Sequence, residues 1–577
     1  MNSANVLHVC AGQSSYRQIS RRKLFPAVVF MAMVKLSLTI AAQSRYTELF
    51  PSDPSFRGYF GNSVDIELGY VLVAAPGHYH GLTYGGPDVF NTGCPIYFYL
   101  QDEYAGWNQE LELFASGQQH DDFLRSCESQ GGELIIGAPG DNDYGPHSGT
   151  ARVYEHDGSG WIERLRIVPA ENGGNQVALF GYSIASSGDW IVFGARGDNW
   201  PNQTGSVYLF RRYGDSWHEV AKLVPAVVSV GAELGTSVAI EGTVVVGGAY
   251  NWTAGCDPAV GGTAYIWEEV PTGDWVETAQ LCHADPVPGD AFGISVDISG
   301  GLIAIGAYRR HNYRGSVYLY EKVGAEWVEV DELQPEDDDL HPDFGFSLDL
   351  EGDLLVIGAP AAEAKASFTG AVDLHLYDGV VPGAVYVFER RRAGWKQVEK
   401  LWRDAGESGD QTGYSVALSG GLAAAGAISD DVGTLENAGS AIVFEVGRGT
   451  RYCSSRENSR RAAAQIAATG SLSIEENDFR LHASPVPIEQ PGTFVWGSQR
   501  PVPPFSRERL CVGGELFLMP FRLSKGEVLF GEVDFTVPPF VGNVIAGSRW
   551  NIQAWFHDPW GSPRWNSSDA VSVVFEP

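Results

Sequence analysis

The sequence predicts an all-β protein, a seven-bladed β-propeller followed by a small C-terminal β-sandwich. Three observations predict this fold. One motif occurs seven times at a period of roughly 40–70 residues, as expected for four-stranded propeller blades. The 577 residues include 70 glycines, 16 tryptophans and 24 tyrosines, a composition typical of short strands joined by tight turns. The last copy of the motif also lacks its fourth strand, and a segment before the first copy matches the end of that strand.

Each copy of the motif predicts four strands. The copy opens with Phe-Gly-x-Ser, crosses a glycine turn and runs through an apolar strand into Gly-Ala-Pro or a variant. A polar loop then leads to a Val-Tyr strand, a second turn and a strand led by tryptophan. We interpret the motif residues as structural, because regular buried positions usually serve packing. The seven copies open at Phe60, Phe123, Phe180, Leu234, Phe292, Phe344 and Thr412.

The two ends of the repeat region predict how the ring closes. The seventh copy has no tryptophan-led fourth strand. The residues at 47–51, before the first copy, match the end of the fourth strand elsewhere, as at Leu223-Val224-Pro225. We therefore expect the N-terminal segment to supply the outer strand of the last blade, which removes an open sheet edge. The predicted propeller spans residues 46–446.

The pattern changes after the seventh copy. Residues 447–463 are basic and polar and are predicted to form a linker. Residues 464–577 alternate again between apolar and polar, which predicts a β-sandwich. The candidate strands are Ser471–Ile474, Phe479–Ala483, Thr493–Trp496, Glu515–Met519, Glu532–Val537, Ser548–Phe556 and Ala570–Phe575.

The N-terminal residues 1–42 are predicted to form a signal peptide. Three basic residues, Arg21 to Lys23, precede an apolar stretch at Leu24–Val34, and small residues follow at Ala41 and Ala42. No uninterrupted run of roughly 20 apolar residues occurs, so no transmembrane span is predicted. The protein is therefore expected to be secreted or displayed at the cell surface.

The cysteines fit an exported protein. Seven are present, and six remain once Cys10 leaves with the signal peptide, an even number that suggests disulfides. In the predicted topology, Cys256 and Cys282 lie at one face of the propeller, as do Cys94 and Cys127. We predict that each pair forms a disulfide. Cys453 and Cys511 are then left to pair in the C-terminal region.

The motif FGxS…GAP…GxVYVF with a following tryptophan resembles the FG-GAP repeat. That repeat builds the N-terminal propeller of integrin α chains and occurs in many bacterial exported proteins. The resemblance covers roughly residues 46–446 and implies a seven-bladed propeller used for extracellular binding or adhesion. Some members bind calcium in loops of the form Asp-x-Asp-x-Asp-Gly. The nearest loop here offers Asp141, Asn142 and Asp143, which makes calcium a candidate cofactor; ordinary Asx turns are the alternative.

Aromatic residues follow the Gly-Ala-Pro position in several copies and should lie on one face of the disc. These candidate ligand-binding residues could stack on sugar rings or contact a protein partner. The alternative interpretation is that they fill gaps between blades. They are Tyr79, Tyr144, Trp200, Trp252 and Tyr308.

Charge and missing motifs narrow the function further. A net charge of -32 should repel nucleic acid and anionic membranes. No nucleophile elbow, P-loop or His-Glu-x-x-His motif occurs, so no enzyme activity is predicted. We expect a monomeric, secreted, non-catalytic binding or adhesion protein whose partner is an extracellular protein or glycan. The alternatives are a carbohydrate-active protein, either a lectin or a glycoside hydrolase, and a rigid structural spacer.

Overall fold

The structure is a computed structural model that describes most of the chain. The described residues are 46–577, except 68, 78–94, 102–105, 114–124, 131, 157–160, 171–176, 228, 252–260, 338–341, 363–381, 404–405, 454–457, 501–509 and 562–563. The predicted signal peptide at 1–42 lies outside the described residues, as do Tyr79, Cys94, Trp252 and Cys256.

Residues 46–446 form seven four-stranded antiparallel sheets, as expected for a propeller-type all-β protein. We number the sheets one to seven by the order of their first strands. Sheet one contains β2 (Val64–Glu67), β3 (Tyr70–Ala74), β4 (Ile96–Gln101) and β5 (Trp107–Leu113). Sheet two contains β6 (Ser126–Gln130), β7 (Glu133–Ala138), β8 (Thr150–His156) and β9 (Trp161–Ile167). Sheet three contains β10 (Phe180–Ser187), β11 (Trp190–Ala195), β12 (Ser206–Tyr213) and β13 (Ser216–Leu223).

The remaining sheets repeat this order. Sheet four contains β14 (Ser237–Glu241), β15 (Val244–Ala249), β16 (Thr263–Glu269) and β17 (Trp275–Leu281). Sheet five contains β18 (Phe292–Ser299), β19 (Leu302–Ala307), β20 (Ser316–Val323) and β21 (Glu326–Leu333), with a short helical turn α1 (Arg310–Tyr313) between its second and third strands. Sheet six contains β22 (Ser347–Glu351), β23 (Leu354–Ala359), β24 (Ala384–Arg391) and β25 (Gly394–Leu401). Sheet seven contains β26 (Thr412–Ser419), β27 (Leu422–Ala427) and β28 (Ser440–Glu445).

The fourth strand of sheet seven comes from the other end of the repeat region. Strand β1 (Tyr46–Leu49) pairs antiparallel with β28, and Tyr46 lies opposite Phe444. This is the pairing that the incomplete seventh copy and the segment before the first copy predict. The pairing ties the ends of the repeat region together through backbone hydrogen bonds.

In six of the seven sheets, the serine of the Phe-Gly-x-Ser motif joins the sheet to the next. Ser295 Oγ donates a hydrogen bond of 2.9 Å to the Gly345 carbonyl of the following sheet. Equivalent bonds of 2.8–3.0 Å start from Ser126, Ser183, Ser237 and Ser347. Ser415 of sheet seven makes the same bond, of 2.8 Å, to Gly61 of sheet one. The junction between sheets seven and one is therefore equivalent to the others.

The motif glycines are needed where neighbouring sheets meet backbone to backbone. Gly345 has φ +87°, a conformation that glycine adopts without steric cost. Its carbonyl lies against the glycine of the Gly-Ala step in the preceding sheet, Gly306, where a methyl group would collide with it. The phenylalanine that opens the motif is fully buried in the same junction, as at Phe292 and Phe344. The Phe-Gly of one sheet thus meets the motif serine and the Gly-Ala step of the preceding sheet in one contact.

The C-terminal region forms a second structure, which we call the C-terminal module (residues 447–577). One sheet has the order β29-β37-β36-β32-β33, with β34 also paired to β32, and a smaller sheet has the order β30-β31-β35. A single apolar core draws on both sheets and includes the fully buried Trp496. The strands are β29 (Thr450–Tyr452), β30 (Gln465–Gly470), β31 (Phe479–Ser484), β32 (Pro491–Gln499), β33 (Gly513–Leu518), β34 (Arg522–Leu523), β35 (Leu529–Glu532), β36 (Arg549–His557) and β37 (Trp565–Val574).

The predicted linker at 447–463 is wrong in part. Its strand β29 pairs with β37 and so belongs to the larger sheet of the module. Cys453, which follows this strand, forms the expected disulfide with Cys511, with a Cα–Cα distance of 6.3 Å. The disulfide fastens the start of the module to its sheet, so the segment is not a free connection.

The predicted Cys94–Cys127 disulfide is wrong. Cys127 is a free, buried thiol in the structure. Its Sγ lies 3.5 Å from Ser63 Oγ, and its side chain packs in the apolar layer between sheets one and two. The innermost strand of sheet two therefore turns this side chain towards sheet one. Cys282 is disulfide-bonded, while Cys256, its predicted partner, lies outside the described residues.

Candidate ligand-binding channel

The first strands of all seven sheets surround one cavity, which we call the channel. Its volume is about 490 Å³, and it is lined by residues of β2, β6, β10, β14, β18, β22 and β26. The first strands meet around this cavity because motif serines and glycines tie neighbouring sheets together. We call the end at which the Phe-Gly-x-Ser motifs open the mouth, and the opposite end the floor.

The mouth carries the variable third residue of the Phe-Gly-x-Ser motif. Asn62, Arg125, Tyr182 and Thr236 occupy this position in sheets one to four, and all four line the channel. The guanidinium carbons of Arg125 and Arg196 each lie 4.1 Å from the centre of the Tyr182 ring. Cation–π contacts of this kind hold an aromatic ring in place.

The same motif position is aromatic in two further sheets. Phe346 and Tyr414 occupy it in sheets six and seven, and their ring centres are 5.0 Å apart. Tyr308 lies on the other side of Phe346, at 5.4 Å. Sequence reasoning missed Tyr182, Phe346 and Tyr414 as candidate site residues. The signal was present, because the third residue of the motif varies between copies, whereas the fourth is serine in all seven.

Below the mouth, carboxylates extend from the first strands towards the neighbouring sheet. Glu128 accepts hydrogen bonds from the backbone N–H and the hydroxyl of Ser186, at 3.2 and 2.7 Å. Asp297 accepts from the Leu350 N–H at 2.7 Å, and Asp349 accepts from the Leu418 N–H at 2.6 Å. These acids join adjacent sheets as well as line the channel.

Burial raises the pKa of several of these carboxyl groups. It raises the pKa of Asp65 to about 6, although a hydrogen bond from Ser129 opposes the shift. Burial, and then the charge of Asp65, raises the pKa of Glu128 well above its usual range. Asp297 and Asp349 hydrogen-bond to each other, and burial raises the pKa of both. The charge of Asp297 adds to the rise in the pKa of Asp349, because a nearby like charge disfavours ionisation.

The predicted aromatic residues do not form one cluster. Tyr144 and Trp200 are 44% and 49% exposed, and within the described part of the chain neither contacts another aromatic ring. Tyr308 is half-buried among Tyr313, Phe346 and Arg309. Tyr79 and Trp252 lie outside the described residues. Of the predicted set, Tyr308 alone is placed by these contacts beside the aromatic residues of the motif.

The predicted calcium ligands are paired with arginines. The Asp141 carboxylate is fully buried and accepts hydrogen bonds from Thr150 Oγ1 at 2.7 Å and from Arg152 Nη2 at 3.2 Å. Asp143 forms an ion pair with Arg166. The side-chain oxygen of Asn142 accepts a hydrogen bond from the backbone of the same loop. The three residues therefore do not converge on a common point.

The same arrangement occurs in two equivalent loops. Asp198 accepts a hydrogen bond from Ser206 and pairs with Lys222 at 2.8 Å. Asp430 pairs with Arg403 at 2.5 Å. In each loop a basic side chain of the protein itself neutralises the buried carboxylate. Across the described ranges, no three Asp, Glu, His or Cys side chains come together as metal ligands would.

The FG-GAP repeat family matches five segments of the sequence, at residues 161–210, 217–267, 275–320, 327–388 and 395–444. The chain is an FG-GAP repeat protein. Each matched segment begins at the tryptophan of one sheet's fourth strand and ends in the third strand of the next sheet, as at Trp161 and Phe210. The repeat unit of the family thus spans a junction between sheets. The copies that open at Phe60 and Phe123 precede the matched segments.

Comparisons with individual proteins add little. The crystal structure of Chaetomium thermophilum Sqt1 matches with a TM-score of 0.38 and 14% sequence identity, over 67% of this chain and 84% of that chain. No curated protein matches the sequence. Among the described residues, no helix has the length and apolarity that a membrane span requires.

Proposed function

We propose that this FG-GAP repeat protein is a secreted, non-catalytic binding protein that takes its ligand at the mouth of the channel. In this proposal the seven sheets are the blades of a closed propeller and the C-terminal module is a β-sandwich. The observation that carries the proposal is the pair of aromatic rings at the mouth, Phe346 and Tyr414, with an open cavity beneath the mouth. The repeats and the Cys453–Cys511 disulfide are compatible with an extracellular protein.

Charge favours a basic protein segment as the ligand. Residues 46–446 contain 58 acidic and 20 basic residues, so the repeat region attracts cationic partners over long distances. Among the described residues that line the channel, carboxylates outnumber Arg125, the one basic side chain. Two arginines already cover the Tyr182 ring, so a lysine or arginine side chain of the ligand would stack on Phe346 or Tyr414, with its charge directed towards these carboxylates.

Geometry gives a glycoside hydrolase no support. Hydrolysis requires two carboxyl groups about 5–9.5 Å apart that can reach the glycosidic bond and a water molecule. Asp297 and Asp349 instead hydrogen-bond to each other, and each also accepts a backbone N–H of the next sheet. These carboxylates are therefore committed to holding adjacent sheets together.

The loop at Asp141 supports a propeller that works without calcium. A calcium ion would have to displace Arg152, whose side chain is 1% exposed and whose removal would leave Asp141 buried and unpaired. We therefore propose that arginine takes the place of the metal in this loop.

The test measures binding of two probes to the mature protein. Decalysine should bind, and Tyr414→Ala should weaken its binding about tenfold, because the variant removes part of the stacking surface. Tyr213→Ala is the matched control, since Tyr213 is 57% exposed on the hairpin between β12 and β13. The second probe, the neutral sugar chitohexaose, should not bind.

Each other outcome contradicts the proposal in a defined way. Decalysine binding that is unchanged by Tyr414→Ala would place the ligand away from the mouth. Binding of chitohexaose that depends on Tyr414 would favour a lectin instead. Binding of neither probe would favour the rigid spacer.

A further inference from the structure

The C-terminal module covers the floor of the channel. In each sheet a tight turn joins the first strand to the second, and five of these turns meet the module. The contact is so close that a methyl group on the turn glycine would meet a module atom within 3 Å. The contacts are Gly188 with Arg460, Gly242 with Ile488, Gly300 with Phe530, Gly352 with His482 and Gly421 with Gly447.

A polar contact anchors the centre of this interface. The Glu241 carboxylate accepts three backbone N–H bonds, from Gly300 and Gly301 at 2.9 Å and from Glu527 of the module at 2.7 Å. The Glu527 side chain pairs with Arg460 and accepts a hydrogen bond from Ser187 of sheet three. Glu527 of the module thus contacts sheet three through its side chain and sheet four through its backbone N–H. Sheet five bonds to the same Glu241 carboxylate through the backbone of Gly300 and Gly301.

The interface continues beneath sheets six and seven. Arg480 lies 3.4 Å from Asp353, and His482 is completely buried against the same turn. Gln465 donates a hydrogen bond of 2.7 Å to Ser419 Oγ at the end of the first strand of sheet seven. Contacts spread over five sheets fix the module across the floor and leave it little freedom to pivot.

The module also contributes residues to the channel wall. Gln465, Ser484, Pro485 and Glu527 line the same cavity as Tyr182 and Arg125 of the mouth. We propose that the C-terminal module is the floor of the binding pocket: it closes the lower end of the channel and leaves the mouth as the single entrance. Its description as a binding pocket rests on the proposed function, whereas closure of the lower end does not.

Closure gives the module a specific role in recognition. A ligand that enters at the mouth ends its path at Glu527 and Gln465, so the module limits how long an inserted side chain can be. The residues of the floor would then select among ligands that the aromatic mouth accepts equally.

Substitution of turn glycines tests the closure without a ligand. Gly352→Ala places a methyl group 2.7 Å from the buried ring of His482, which has no room to move away. Gly132→Ala is the matched control, because Gly132 occupies the equivalent turn of sheet two, also has positive φ (+75°, against +59° for Gly352), and has no atom within 4 Å of the added methyl group. Both variants strain the turn, but Gly352→Ala also pushes on the module.

Hydrogen exchange reports whether the module is released. Gly352→Ala should speed exchange of the amides of Gly300, Gly301 and Glu527, which bond to Glu241 in a different sheet. Gly132→Ala should leave these amides unchanged. Faster exchange confined to the substituted turn in both variants would overturn the proposed docking.

Closure of the lower end rests on this docking, so the same result would overturn the closure as well. Because the exchange measurement uses no ligand, this failure is distinct from failure of the proposed binding function.

Discussion

The repeat region and the C-terminal module achieve stability in different ways. Residues 46–446 hold 58 acidic and 20 basic residues, whereas residues 447–577 hold 13 of each. The repeat region divides its apolar residues among several clusters that lie between adjacent sheets, such as the one around Phe292 and Tyr318. The module concentrates its apolar residues in one core around Trp496.

This difference shows what a repeated architecture permits. The junctions between sheets rely on the serine–carbonyl hydrogen bond and the close glycine contact at six of the seven positions. The rest of the surface of the repeat region is therefore free to be strongly acidic. The polar channel at the centre exists because the core lies between sheets rather than within the ring. The module has no such freedom, since a single core must hold two sheets together.

The largest expected effect concerns the single core of the module. Trp496→Ala should lower the free energy of unfolding of the module by about 5 kcal/mol, because it leaves a large cavity in a core that has no neighbouring cluster to compensate. Trp560→Ala, at a residue that is 76% exposed, should change it by less than about 0.5 kcal/mol. Urea denaturation followed by hydrogen exchange of each region measures both. A smaller loss from Trp496→Ala than from Trp560→Ala would contradict the single-core description.

The next effect concerns the buried ion pair that occupies the predicted calcium loop. Arg152→Met should destabilise the repeat region by about 3 kcal/mol, because Asp141 would remain buried without its partner. Arg164→Met removes an ion pair to Glu155 in which both side chains are about half exposed, and should cost less than about 1 kcal/mol. Denaturant midpoints give the comparison, and equal losses would show that the Arg152 pair contributes no more than a surface pair.

A smaller effect should distinguish the acidic channel from the neutral module by pH. A carboxyl group whose pKa is higher in the folded state, such as Asp65 at about 6, stabilises the fold fully below its unfolded value, and this stability is lost as the pH rises through the folded pKa. The stability of the repeat region should therefore rise by up to about 3 kcal/mol for this group between pH 7 and pH 4. Asp65→Asn should flatten the profile of melting temperature against pH, and Asp215→Asn, on an exposed turn, should not. A profile that keeps its slope in Asp65→Asn would assign the effect to other groups.

The smallest expected effect is that of calcium. A metal held only by the folded protein must raise the melting temperature, but the carboxylates of the candidate loop are already paired with Arg152 and Arg166. We expect the same melting temperature in calcium and in chelator. A calcium-dependent rise that disappears in Asp141→Ala would restore the metal and contradict the interpretation that arginine replaces it.

Much of the repeat region could be predicted because each junction between sheets depends on a short sequence motif. Phe292 and Gly293 act at the junction with sheet four and Ser295 acts at the junction with sheet six, so one short stretch predicts both the strand and its role. The closure by β1 could be predicted for the same reason, since Leu49 sits where Leu223 sits in sheet three. Because the motif is repeated, a single sequence shows several times which residue types each motif position accepts.

The rest depends on contacts between distant parts of the chain. The pairing of Asp430 with Arg403 and of Asp141 with Arg152 cannot be read from a loop that resembles a calcium site. In the module, β30 (Gln465–Gly470) was missed because its small residues lack a clear alternation, although all six are buried. The predicted strand Glu532–Val537 instead becomes a turn held by Asp534, whose side chain accepts hydrogen bonds from Asn477 and Thr536.

The most direct test of the account is an experimental structure of the mature protein with decalysine bound. The account predicts a lysine side chain against Tyr414 at the mouth, with its ammonium group directed down a channel that ends at Gln465 and Glu527 of the module. Decalysine bound along the outer loops, or a channel that is open at its lower end, would contradict it.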